Sequence, residues 1–115
     1  MLRIYMKYKE RHDFNTRCDE SQKMIDKYPQ AVPTIIESIS LDLEKNKYLV
    51  PDDLSVGQFV YFMRKQVNLT SEKGIFMYVN EKLPTTTQTM GQLYAQEKDV
   101  DGFLYLSVEQ ENTFG

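Results

Sequence analysis

The stretch Ser55–Val67, SVGQFVYFMRKQV, constrains the fold more than any other. Val56, Phe59, Val60, Met63 and Val67 recur there at helical spacing, so one stripe of an amphipathic helix is apolar and must be covered. Ser55 stands where an N-cap belongs. On either side of this helix the period changes. AVPTIIES and KYLVP are short β-branched and aromatic runs, separated by a charged connection around Asp42 to Asn46, which predicts two strands joined as a hairpin. Beyond the helix, GIFMYV reads as a buried strand and TMGQLYAQEK as a short helix with Met90, Leu93 and Tyr94 inward. FLYLSV, after the Asp101-Gly102 turn, reads as a second buried strand. Ahead of all these, Phe14, Cys18, Ser21, Ile25 and Tyr28 predict an amphipathic helix ended by Pro29. Helix, strand, strand, helix, strand, helix, strand is the order of an α+β domain.

The chain of 115 residues is short enough for one domain. Its first 27 residues carry 7 basic and 5 acidic side chains, a surplus of +2, against −3 for the whole, so the rest carries −5. An acidic body argues against nucleic acid as a partner, while the basic opening permits contact with an acidic protein or membrane surface. A single cysteine, Cys18, excludes an internal disulfide and fits a reducing compartment. No apolar run approaches the roughly 20 residues that span a bilayer, so a cytoplasmic protein is expected. Asn68-Leu69-Thr70 reads as a chance match to the glycosylation sequon.

Chemistry is hard to find. One histidine and one cysteine cannot make a zinc site, so neither metal nor cofactor is expected. His12 and Cys18 lack an oxyanion-hole motif beside them, and the isolated glycines match no phosphate-binding loop. Asp52-Asp53 and Asp99 with Asp101 border turns and read as solvated charges. No catalytic residue is expected, and no enzyme. In KYLVP, Tyr48 and Val50 share one face and Leu49 takes the other. That pattern fits a strand buried on both faces, or an edge strand to which a peptide adds. Pattern leaves both open. The closing ENTFG is equally unusual, because a frayed tail rarely carries Phe-Gly.

KYLVPDDLSVGQFVYFMRK, with MGQLY, DGFLYL and ENTFG downstream and KYKERHDF and KYP upstream, closely resembles the autophagy-related protein eight family. These are ubiquitin-like modifiers that include the GABARAP and microtubule-associated light-chain-three proteins. The resemblance implies a ubiquitin-like β-grasp with two additional N-terminal helices. Residues 1–28 would form the helical subdomain, 29–111 the β-grasp core and 112–115 a conjugation tail. It implies that a cysteine protease exposes Gly115 after Phe114, and that activating and conjugating enzymes pass the glycine carboxyl to phosphatidylethanolamine. Glycine suits a narrow enzyme channel because it lacks a Cβ, and two acyl chains anchor a domain firmly. The protein would then be a cytoplasmic monomer that decorates autophagosome membranes when lipidated.

The resemblance also assigns KYLVP to a peptide groove that takes aromatic-x-x-aliphatic motifs of cargo receptors and autophagy proteins. Glu20, Met24, Pro33, Ile35, Lys47, Leu49 and Phe103 would line the aromatic pocket. Tyr48, Val50, Pro51, Leu54, Phe59, Phe62 and Met63 would line the aliphatic one, with Arg64 nearby for acidic residues. A second interaction surface would centre on Ile75, Phe76, Met77 and Tyr78. A different reading keeps the groove but not the conjugation: an adaptor in trafficking, or one that binds tubulin through its basic helices. Three features depart from the family pattern. Ala31, Asn46 and Gln66 stand where basic residues are usual, which predicts less dependence on acidic flanks. The connection SISLDLE is short, which predicts a tight hairpin. Lys7 replaces an apolar residue, which predicts loose docking of the first helix.

Overall fold

A computed structural model of the chain describes residues 7–67 and 74–111. Two helices come first, α1 (Tyr8–Arg11) and α2 (Phe14–Lys27), followed by strands β1 (Ala31–Glu37) and β2 (Lys47–Pro51). Helix α3 (Val56–Gln66), strand β3 (Ile75–Tyr78), helix α4 (Met90–Glu97) and strand β4 (Leu104–Gln110) complete the fold. The sheet order is β2-β1-β4-β3, with β1 and β4 parallel at its centre and both outer pairs antiparallel. The α+β expectation holds, and the element order read from pattern gains one short helix, α1, at its start, as the resemblance implies.

Local chemistry sets the helix starts. Asp13, Ser55 and Thr89 accept the N–H of the residue three positions on, and Gln58 and Gln92 return the bond to complete two capping boxes. Val56, Phe59 and Met63 of α3, with Met90 and Leu93 of α4, are buried against Val32, Ile36, Val50, Met77, Leu104, Leu106 and Val108 on one face of the sheet. On the other face Tyr8 of α1 packs with Ile35 and Phe103, flanked by Met24 of α2 and by Tyr105.

Several expectations change. GIFMYV is not a strand buried on both faces: β3 is the outer strand, and Phe76 is 40% exposed while Met77 is buried. FLYLSV alternates as well, with Tyr105 and Ser107 half-buried between buried neighbours. The stripe expected on α2 is buried only at its middle. Phe14 and Tyr28, at its two ends, are exposed. Lys7 is exposed, and Tyr8 makes the docking contact of α1 at 2% exposure.

Asp101 overturns the reading of solvated turn charges. Its side chain is fully buried and accepts hydrogen bonds from Arg17 Nε at 2.8 Å, the Phe103 N–H at 2.9 Å and the Tyr105 hydroxyl at 2.5 Å. Beside it the Ser21 hydroxyl donates to the Asp101 carbonyl at 2.5 Å. Gly102 has φ +94°, and a Cβ there would lie 2.4 Å from Ser21 Oγ, so only glycine fits this contact. Through Arg17 and Ser21 the turn before β4 holds α2 in place.

Candidate functional site

Strand β2 lies at the edge of the sheet, which decides between the two readings of KYLVP. Its hydrogen-bond phase follows from two contacts. Ile36 N–H donates to the Asn46 carbonyl at 2.7 Å, and Asp52 N–H to the Gln30 carbonyl at 3.0 Å. Antiparallel pairing alternates, so Tyr48 and Val50 share that phase and bond to β1, while the backbone groups of Lys47 and Leu49 point outward. Pro51 falls in the outward phase too, where its missing N–H costs no ladder bond. Pro33 is tolerated in the inner strand because the ladder with β4 begins one residue later, at Thr34.

Side chains alternate in the same way. Lys47 and Leu49 stand on the α2 side of the sheet, paired with Ile35 and Pro33, while Tyr48 and Val50 stand on the α3 side. Leu49 is 38% exposed. The free edge is therefore flanked by one helix on each side, with an open depression of about 760 Å³ alongside. Glu20, Lys23 and Met24 line it from α2, Lys47, Tyr48 and Leu49 from β2, and Lys45 and Phe62 complete it.

On the α2 side, Glu20 accepts from Lys47 Nζ at 2.8 Å and from the Tyr8 hydroxyl. Burial pushes the Glu20 pKa up, but the Lys47 and Tyr8 hydrogen bonds outweigh it and hold the carboxyl below its usual range. Burial, with the Glu20 carboxylate beside it, pushes the Tyr8 phenol well above its ordinary value. On the α3 side Tyr48 meets Phe59 and Phe62 edge-on at 6.3 and 6.0 Å, and Phe59 and Phe62 stack at 6.0 Å. Lys45 Nζ lies 4.8 Å from the Tyr48 ring centre, a cation–π distance.

Six residues named for the groove line this depression: Glu20, Met24, Lys47, Tyr48, Leu49 and Phe62. Pro33, Ile35 and Phe103 are buried beneath the α2 side, and Val50, Phe59 and Met63 beneath the α3 side. Leu54 is half-buried against the core, Pro51 is exposed at the strand end and Arg64 is half-buried on α3. None of these residues is among those lining the open depression. Lys23 and Lys45 were not anticipated. Lys23 lies three residues after Glu20 on one helix face, and Lys45 has the same alternation as Lys47, so spacing was the available signal. Both add positive charge to the lining of the depression beside Lys47.

At the opposite edge, Phe76 and Tyr78 share the solvent-facing side of β3, with ring centres 6.3 Å apart. Ile75 and Met77 turn toward the core instead. Among the described residues no cluster of three or more His, Cys, Asp or Glu could hold a metal, and no helix is long and apolar enough to cross a membrane. Phe114 and Gly115 lie outside the described residues.

Comparison with known proteins matches residues 16–115 to the family model described as "Autophagy protein Atg8 ubiquitin like". The chain is 46% identical over 112 residues to Autophagy-related protein 8 of Mycosarcoma maydis, which covers 94% of this chain and 95% of that one. It is 47% identical to the protein of that name from Kluyveromyces lactis, over 94% and 90% of the two chains. The crystal structure of Trypanosoma brucei ATG8 superimposes with a TM-score of 0.86 at 39% identity, covering 97% of this chain and all of that one. Plasmodium falciparum Atg8, solved in complex with a P. falciparum Atg3 peptide, gives 0.83 at 32% identity over 90% and 95%.

Proposed function

The chain belongs to the Atg8 family of ubiquitin-like autophagy proteins, and from that premise we propose that it is a modifier conjugated through Gly115 to phosphatidylethanolamine. While attached, it recruits cargo receptors and autophagy factors through the β2 edge. It carries no catalytic residue of its own and moves between cytoplasm and autophagosome membrane as lipid is added and removed. The carrying observation is the free β2 edge between α2 and α3, with the Lys47 and Leu49 backbone groups outward.

An incoming peptide binds by β-augmentation. Its backbone pairs with Lys47 and Leu49, which gives affinity, and its alternate side chains fall on the two sides of the strand. The aromatic residue goes to the α2 side, over Ile35 and Phe103, and the aliphatic residue to the α3 side, against Tyr48 and Phe62. Lys23, Lys45 and Lys47 attract acidic flanking residues. A P. falciparum relative has been solved with an Atg3 peptide, and here we assign the β2 edge to the conjugating enzyme as well as to receptors.

Reconstituted conjugation tests the lipid step. The chain is mixed with the family's activating and conjugating enzymes, ATP and liposomes containing phosphatidylethanolamine. The reading predicts a mobility shift with the mass of the lipid, absent when Gly115 is deleted. No shift, with the same enzymes active on another family member, would leave an unconjugated adaptor.

A further inference from the structure

Pairing between β1 and β4 ends at Glu37 opposite Ser107, yet β4 continues to Gln110. The connection leaving β1 takes over along that last stretch. The Glu109 carboxylate accepts from the Ser38 hydroxyl and the Ile39 N–H, each at 3.1 Å, and from the Ser40 N–H at 2.9 Å. It also accepts from the Ser40 hydroxyl at 2.7 Å and the Ser107 hydroxyl at 3.2 Å. Successive backbone N–H groups converging on an anion form a nest, and here the anion is the protein's own side chain. Burial pushes the Glu109 pKa up, but its Ser40, Ile39 and Ser38 donors outweigh that and keep it below the usual range.

The nest grips the end of the strand. Ser40 Oγ accepts from the Gln110 N–H at 2.8 Å. On the opposite flank the Glu111 N–H donates to the Gly74 carbonyl at 2.8 Å, and the Glu111 carboxylate accepts the Gly74 N–H at 3.2 Å. Gly115 lies four residues beyond Glu111.

We propose that Glu109 is a positioning residue for transfer at Gly115, acting by holding Ser38–Ser40 against β4 and so fixing the point from which the conjugation tail departs. This rests on the reading of Gly115 as the conjugated group and deepens it. Five residues from Gln110 reach at most about 17 Å when extended, so the carboxylate can enter only those channels that the root's position allows. With the nest broken, only pairing with β3 and the Gly74–Glu111 contacts hold the root, and the activating enzyme must restore its position, which weakens productive binding without altering the chemistry. Glu109 itself touches no reacting atom.

The test uses the full chain carrying Glu109→Gln, whose side chain cannot serve all these donors. In reconstituted thioester formation the KM for the modifier rises about tenfold, the order of cost expected for re-ordering one freed residue, while kcat stays within about twofold. Ser40→Ala keeps the backbone N–H contacts and gives a smaller rise, and Glu109→Asp restores part of the loss. Affinity for a groove peptide is unchanged in all three. Amide exchange shows Ser40, Leu41 and Gln110 losing protection together in Glu109→Gln. An unconjugated wild type would remove the functional reading and this inference with it. A conjugated wild type, with Glu109→Gln at the same KM, would overturn this inference alone. A parallel loss of peptide affinity would also overturn it, as general loosening, and if Glu109→Gln does not fold, Ser40→Ala decides by the same criteria.

Discussion

Replacing Asp101 should cost more than any other charged substitution in the described part of the chain. The carboxylate is fully buried and satisfies three donors, Arg17 Nε, the Phe103 N–H and the Tyr105 hydroxyl. Asp101→Ala strands all three, and removing one partner of a buried pair typically costs about 3–5 kcal/mol. Asp101→Asn keeps the shape and one acceptor, so the loss should be smaller, about 2 kcal/mol. A domain of this size holds roughly 5–15 kcal/mol in total, so both variants should fold. Urea unfolding measures the difference: with a slope of about 2 kcal/mol per molar, the Ala midpoint falls by about 2 M. Asp101→Ala should cost less when Arg17 is already Ala, because the two side chains are coupled. A loss for Asp101→Ala below about 1 kcal/mol, typical of an exposed pair, would refute the argument that this cluster fixes α2 against the sheet.

The remaining predictions concern charge and the groove. Burial raises the pKa values of Glu20, Asp99 and Glu109, but their hydrogen-bond partners outweigh it and leave each one lowered in the fold. Their stabilisation is therefore complete above the ordinary carboxylate range near pH 4 and is lost as pH falls through the folded values; a melting temperature that stays level from pH 5 to pH 2 would contradict this. Burial chiefly raises Tyr8 and Tyr105, so stability present below about pH 10 declines above it, which alkaline unfolding monitored by circular dichroism would show. Phe62→Ala should weaken an aromatic-x-x-aliphatic peptide by about tenfold while barely moving the melting temperature, because Phe62 is 40% exposed. With Lys23, Lys45 and Lys47 around the depression, raising salt should weaken an acidic-flanked peptide more than a neutral one, and Lys45→Ala should narrow that gap in calorimetric titrations.

Much of this was legible in the sequence because the relevant signals are local. The α3 stripe and its Ser55 cap, the inward Met90 and Leu93, and the stop at Pro29 all follow from spacing along one element. Asp101 was misread because its partner Arg17 is 84 positions away, and no turn pattern distinguishes a solvated aspartate from one met by a distant guanidinium. The strands of the second half failed for a related reason. GIFMYV is apolar throughout, and only sheet order, which is long-range, reveals that Phe76 faces outward. KYLVP shows the same limit: its alternation was visible, but the hydrogen-bond phase that turns Lys47 and Leu49 outward required the contacts of Asn46 and Asp52. Lys23 and Lys45 had readable spacing but carry no apolar signal, so they passed as ordinary surface charge.

The most direct measurement is calorimetric titration of an aromatic-x-x-aliphatic peptide against the wild type and Leu49→Pro. Proline at position 49 removes an outward N–H and no bond to β1, and extended backbone before it suits Tyr48. Melting should show an unchanged fold, and the affinity should be at least about tenfold weaker, the worth of one lost backbone hydrogen bond with its partner left unpaired. Equal affinity for the two proteins would contradict backbone pairing at the β2 edge and, with it, the groove as the recruiting surface.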